Sequence, residues 1–181
     1  MINILTGPVH SGKTSLLKNT IPLLRENKFR IDGYLSEAVW KSEEFLGYKL
    51  VDLGNHRDHP FILKQGQQDW QKIGSFFFLP ETLALAKKII RRSEKSDLCI
   101  VDEVGPLELS GKGVWPVLED MLTLLHPHFL LVIRDSIVEK VLNKFQRDDF
   151  VVYDIGQNIK PIRMAEYLMQ DLQKIKKSEQ K

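Results

Sequence analysis

Gly7-Pro8-Val9-His10-Ser11-Gly12-Lys13-Thr14 spells G-x-x-x-x-G-K-[ST], with Ser15 directly after it. Such a loop wraps a polyphosphate with successive backbone N–H groups, and its glycines permit the angles and close approach that this requires. A helix starting inside the motif points its positive end at the anion. Lys13 then reaches the β- and γ-phosphates, and the Thr14 hydroxyl is a ligand for Mg²⁺. His10 reads as a tolerated loop residue. The second chemical signature is Asp97-Leu98-Cys99-Ile100-Val101-Asp102-Glu103, an apolar run closing on two carboxylates. Beside a phosphate loop, Asp102 can hold a Mg²⁺-bound water, and Glu103 can orient an attacking water or accept its proton. Arg134, just past another apolar run, either neutralises charge on the γ-phosphate or pairs at the surface with Asp135 or Glu139.

These residues need a scaffold that brings strand ends together. Ile2 to Leu5 reads as a buried strand, followed by a helix with Leu16, Leu17, Ile21 and Leu24 on one side and a kink or early end at Pro22. Ile31 to Trp40 is a second strand. Phe45 to Leu53 and Pro60 to Lys64 form a hairpin that is inserted into the main sheet or caps its edge. Phe76-Phe77-Phe78 reads as core in preference to a base-stacking surface, and Pro80 opens the next helix. Asp97 to Val101, His128 to Ile133 and Phe150 to Asp154 are further strands. Between them run a helix with Val114, Val117, Leu118, Met121 and Leu125, and another opened by a capping box at Ser136 to Glu139. Pro161 starts a last helix with a stripe of Ile162, Ala165, Leu168, Leu172 and Ile175. Strands alternating with helices imply an α/β fold, a three-layer α/β/α arrangement whose mostly parallel sheet carries the inserted hairpin and holds ligands at its strand ends.

Composition sets the frame. The 181 residues make one domain, with the hairpin at 45–64 and a frayed tail at 174–181. The net charge is +2, and the segment 160–181 alone carries +3, so no basic face is evident and nucleic acid is disfavoured as a partner. No apolar run approaches the roughly 18 residues of a membrane span, and no signal peptide is visible. With one cysteine, Cys99, no internal disulfide or cysteine metal cluster forms, and the expected location is cytoplasmic. His56 and His59 flank a polar turn but lack the neighbours of a metal site, and Arg147 reads as a surface ion pair with Asp148 or Asp149.

Asp32-Gly33-Tyr34-Leu35-Ser36-Glu37-Ala38-Val39, Gly47-Tyr48-Lys49-Leu50-Val51-Asp52-Leu53 and Val101-Asp102-Glu103-Val104-Gly105-Pro106-Leu107-Glu108-Leu109, with the phosphate loop, resemble the thermophile-type nucleoside-triphosphatases. The resemblance runs from Met1 to about Phe129. It implies a P-loop NTPase fold and Mg²⁺-dependent hydrolysis of nucleoside triphosphates such as ATP and GTP, with broad base tolerance. Lys13, Thr14, Asp102 and Glu103 inherit their roles from it, and Glu37 and Glu108 occupy motif positions. Two other readings stay open: a small-molecule kinase with the hairpin binding the acceptor, and a nucleotide-switched binding module.

Overall fold

The computed structural model describes residues 2–124, 127–145 and 148–178. Five parallel strands make one half of a single mixed sheet. These are β1 (Ile2–Gly7), β2 (Ile31–Lys41), β7 (Leu98–Val104), β8 (His128–Arg134) and β9 (Phe150–Asp154). The other half is antiparallel: β3 (Glu44–Asp52), β4 (Asp58–Leu63), β5 (Lys72–Ile73) and β6 (Phe76–Phe78). The order β5-β6-β4-β3-β2-β7-β8-β1-β9 places the hairpin β3–β4 at the outer side of β2. There it extends the sheet and recruits Phe76–Phe78 as a further strand, with Ile62 opposite Phe78.

Helices cover both faces. On one face α1 (Lys13–Glu26) and α6 (Pro161–Ser178) bury Leu17, Leu24, Met164 and Leu168 against Leu5, Ile100, Leu130 and Val132. On the other, α2 (Pro80–Arg92) and α4 (Trp115–Leu122) pack Leu83, Ile89, Val117 and Leu118 against Tyr34, Val101, Phe129 and Leu131. Each such fully buried aliphatic side chain favours folding by about 1.5–3 kcal/mol relative to exposure. Two short helices, α3 (Pro106–Leu109) and α5 (Val138–Leu142), complete the layers.

Three local expectations are corrected. Pro22 lies inside α1, which continues to Glu26. Pro22 is exposed, as is Lys18, whose carbonyl its missing N–H would have paired, so the break in the ladder lies on the solvent side while buried Ile21 and Leu24 hold the turn. The capping box at Ser136 does not form. Asp135–Ile137 is a 3-10 turn, α5 starts only at Val138 without a side-chain cap, and the Ser136 N–H is taken by Asp135 at 2.7 Å. Ile162 is 64% exposed, and Met164 takes its place in the α6 stripe. Leu125, Arg147, the side chain of Ile175 and the tail beyond 178 lie outside the described residues.

Candidate active site

The turn from β1 into α1 is set by Gly12. It holds φ 90° at the helix N-cap, a left-handed angle that costs a side-chain-bearing residue and costs glycine nothing. Residues Pro8, Val9 and His10 of the loop are exposed, and His10 sits with its ring 6.4 Å from that of Phe45. Lys13 is 5% exposed and donates to the carbonyls of Gly7 at 2.8 Å and Pro8 at 2.6 Å. Burial pushes its ammonium below the ordinary value, although Glu103 and Asp102 pull the other way.

Asp102 ends the regular part of β7. Its Oδ2 accepts from the Thr14 hydroxyl at 2.7 Å and from the Ser36 N–H at 3.4 Å. Burial pushes this carboxyl up to about 7, against the hydrogen bond from Thr14. The β7–β8 register then slips: Asp102 lies opposite Val132 and Val104 opposite Ile133. Glu103 is therefore the extra residue of a bulge, a device that re-aims a side chain. It turns to Arg134, whose guanidinium reaches Glu103 Oε1 at 2.6 Å. Neither Asp135 nor Glu139 takes that arginine. Because β8 lies between β1 and β7 in the sheet, Arg134 stands between the phosphate loop and the acidic pair.

Glu37 on β2 pairs with Lys18 at 2.9 Å and Lys49 at 3.5 Å. Glu108 is 4% exposed and accepts from the N–H groups of Gly105 at 3.0 Å and Val114 at 3.2 Å, so it pins the segment after β7. Burial pushes its carboxyl up to about 7. A carboxyl raised on folding holds its proton better folded than unfolded, so its contribution to stability falls as pH rises from about 4.5 to about 7. Glu108→Gln keeps one acceptor and turns an amide N–H₂ toward the other donor. We expect denaturant unfolding to show a loss of about 1–3 kcal/mol and a shallower decline across that pH window, the remainder coming from Asp102.

A cavity of about 440 Å³ runs from the phosphate loop over the ends of β2 and β7 toward β6. Tyr34 and Tyr48 line it, and sequence reasoning gave neither a role. Each follows a glycine, and that pairing is the signal. At Gly33, φ is 106° and any Cβ would run into the backbone of Ile100, so only glycine lets β2 approach β7 closely. Phe76 joins Phe45 and Tyr48 in edge-on ring contacts, and Phe78 packs on Phe61. Phe76 and Phe78 of the run that read as core thus also face the cavity.

The donor set fits a hard divalent cation. Thr14 and Asp102 bring oxygen ligands together beside the loop, and a cation there would relieve the buried carboxylate. Among the described residues no group of three or more His, Cys, Asp or Glu gathers as a metal cluster, at His56 and His59 or elsewhere. Phosphate and water oxygens would complete such a shell, as Mg²⁺ prefers. Cys99 is fully buried, and burial pushes its thiol up to about 12, so it is inert.

A phosphate loop between a central parallel strand and its helix, faced by an acidic strand end, defines a P-loop NTPase fold. The sequence profile of the family described as NTPase matches residues 3–165, and the chain belongs to that family. It is similar to nucleoside-triphosphatase THEP1 of Sulfolobus acidocaldarius, 26% identical over 169 residues that cover 91% of this chain and 90% of the relative. The protein of the same name from Metallosphaera sedula is 28% identical over 159 residues, covering 79% and 86%. Among solved structures, THEP1 from Aquifex aeolicus matches with a TM-score of 0.71 at 20% identity, over 97% of this chain and 99% of that one. A human cancer-related nucleoside triphosphatase matches with 0.70 at 20% identity, over 98% of each. Among the described residues no helix is long and apolar enough to cross a membrane.

Proposed function

We propose that this protein hydrolyses the γ-phosphate of ATP, GTP and related nucleotides with Mg²⁺, with little regard for the base, in the cytoplasm. The observation that carries this reading is Glu103, aimed by a bulge and held at 2.6 Å by Arg134 beside the Lys13 loop. In this reading the backbone N–H groups of residues 7–15 cradle the phosphates and Lys13 meets the β- and γ-oxygens. Glu103, whose Oε1 is tied to Arg134 and which lines the cavity, orients water and receives its proton. Arg134 offsets charge on the transferring group. Thr14 would hold Mg²⁺ directly and Asp102 through water. The ion supplies charge neutralisation on the β- and γ-oxygens when bound.

Arg92, next to Arg91 at the end of α2, is engaged with Asp32 and Asp52 away from the phosphate loop, so it forms no arginine lid over the phosphates. The test is phosphate release from ATP, GTP, CTP and UTP. We expect turnover for all four within about tenfold of one another. It should stop on chelation by EDTA and return with Mg²⁺. Release that persists in EDTA would remove the metal from the reading.

A further inference from the structure

The cavity does not end where the γ-phosphate would sit. Beyond Glu103 it continues into a chamber walled by Tyr48, Phe61, Ile62, Ile73, Phe76 and Phe78. A nucleotide seated with its terminal phosphate at Lys13 and Glu103 has its nucleoside on the far side of the phosphate chain, so it leaves this chamber empty. The chamber is not a sealed part of the core, since it shares one continuous space of about 440 Å³ with the phosphate loop. That is room for a terminal phosphate and a ring-sized molecule together.

Its polar content is sparse and specific. Tyr34 lines the chamber and is 1% exposed, yet its hydroxyl makes no hydrogen bond among the described residues. The ring contact is with Phe61 at 5.9 Å. The hydroxyl is not among the sealed, unpartnered polar atoms, so it opens onto the cavity and is free to bond a polar group of whatever occupies it. The cations bordering the cavity are Lys18, which pairs with Glu37, and Lys13 and Arg134, which the proposed γ-phosphate site uses. Among the described residues that wall the chamber none is a cation, so nothing there offsets the charge of a second phosphate and a neutral occupant fits.

We infer that the chamber binds a small aromatic alcohol, whose ring packs among Phe61, Phe76 and Phe78, whose distal polar group meets Tyr34, and whose hydroxyl faces Glu103 as an alternative to water. The inference rests on the proposed γ-phosphate site. In the transfer step the alcohol oxygen forms a bond to the γ-phosphorus while the bond to the β–γ bridging oxygen breaks. The alcohol proton passes to Glu103 and then to solvent. Nucleoside triphosphate and alcohol become nucleoside diphosphate, a phosphomonoester and one proton. Water is the slower default acceptor when the chamber is empty.

The test incubates the full chain with ATP, Mg²⁺ and either 4-hydroxybenzyl alcohol, 2-(4-hydroxyphenyl)ethanol or glycerol at about 5 mM. ADP and inorganic phosphate are counted separately, and ³¹P NMR follows ester formation. We expect the aromatic alcohols, and not glycerol, to give a phosphomonoester, with ADP exceeding phosphate. Saturation-transfer NMR should show both aromatic alcohols bound. Phe76→Ala and Tyr34→Phe should each lower ester formation at least about tenfold while alcohol-free phosphate release stays within about twofold. ADP matched one for one by phosphate in every arm, with no saturation transfer, overturns the inference and leaves hydrolysis standing. No ADP in any arm removes the hydrolytic reading and this inference with it.

Discussion

Glu103→Gln should leave nucleotide affinity within about threefold of the parent and lower the rate of phosphate release by about 10²–10⁴-fold. The glutamine is isosteric, and its amide oxygen can still accept from Arg134, so the bulge after Asp102 keeps its shape. What disappears is the ability to take a proton from water. The phosphate loop, Lys13 and the Thr14–Asp102 pair at 2.7 Å are untouched, which is why binding should survive. Equilibrium titration with nucleotide and a single-turnover measurement of phosphate separate the two effects. Turnover equal to the parent would show that Glu103 neither orients nor deprotonates water. An equal loss of affinity would place it in binding instead.

The contiguous parts of this arrangement are legible in the sequence, because their chemistry and backbone geometry sit in adjacent residues. The loop from Gly7 to Thr14 needs its glycines where the chain turns. Asp102 and Glu103 announce themselves by ending an apolar strand. Pro80 and Pro161 open α2 and α6 as expected, and Phe150–Asp154 is β9. The features that were not legible depend on sheet order or burial. Arg134 meets Glu103 across 31 positions only because β8 lies between β1 and β7. Local spacing gave Ser136 a cap, but the backbone at Ile137, with φ −130°, delays the helix beyond it. Phe76–Phe78 reads as core until pairing with β4 sets Phe76 and Phe78 at the cavity wall. Tyr34 is an ordinary strand residue in sequence, and only the cavity beside it makes its unpaired hydroxyl noticeable.

Arg92→Met should lower stability by about 3 kcal/mol and the Tm by roughly 6–12 °C, while kcat at lower temperature stays within about twofold of the parent. Arg92 ends α2 and ties it to β2 and β3, reaching Asp32 Oδ1 at 2.9 Å and Asp52 Oδ2 at 2.9 Å. Asp52 is fully buried and also accepts from the Gly54 N–H at 2.9 Å. Burial alone pushes the Asp52 carboxyl up, but the hydrogen bonds from Arg92 and from Gly54 outweigh it and hold the carboxyl below its ordinary value of 3.8. A carboxyl depressed on folding contributes stability above the unfolded value and loses it as pH falls through the folded one. Methionine keeps most of the stem's packing and leaves Asp52 charged and buried with backbone N–H bonds but no arginine beside it. The raising effect of burial then dominates, and the deficit is greatest at neutral pH. Thermal melts of parent and variant should therefore converge as pH falls from about 7 toward about 4, and adding Asp52→Asn should recover part of the loss at neutral pH. A Tm gap that stays constant with pH would mean that lost packing, and not an abandoned charge, carries the effect.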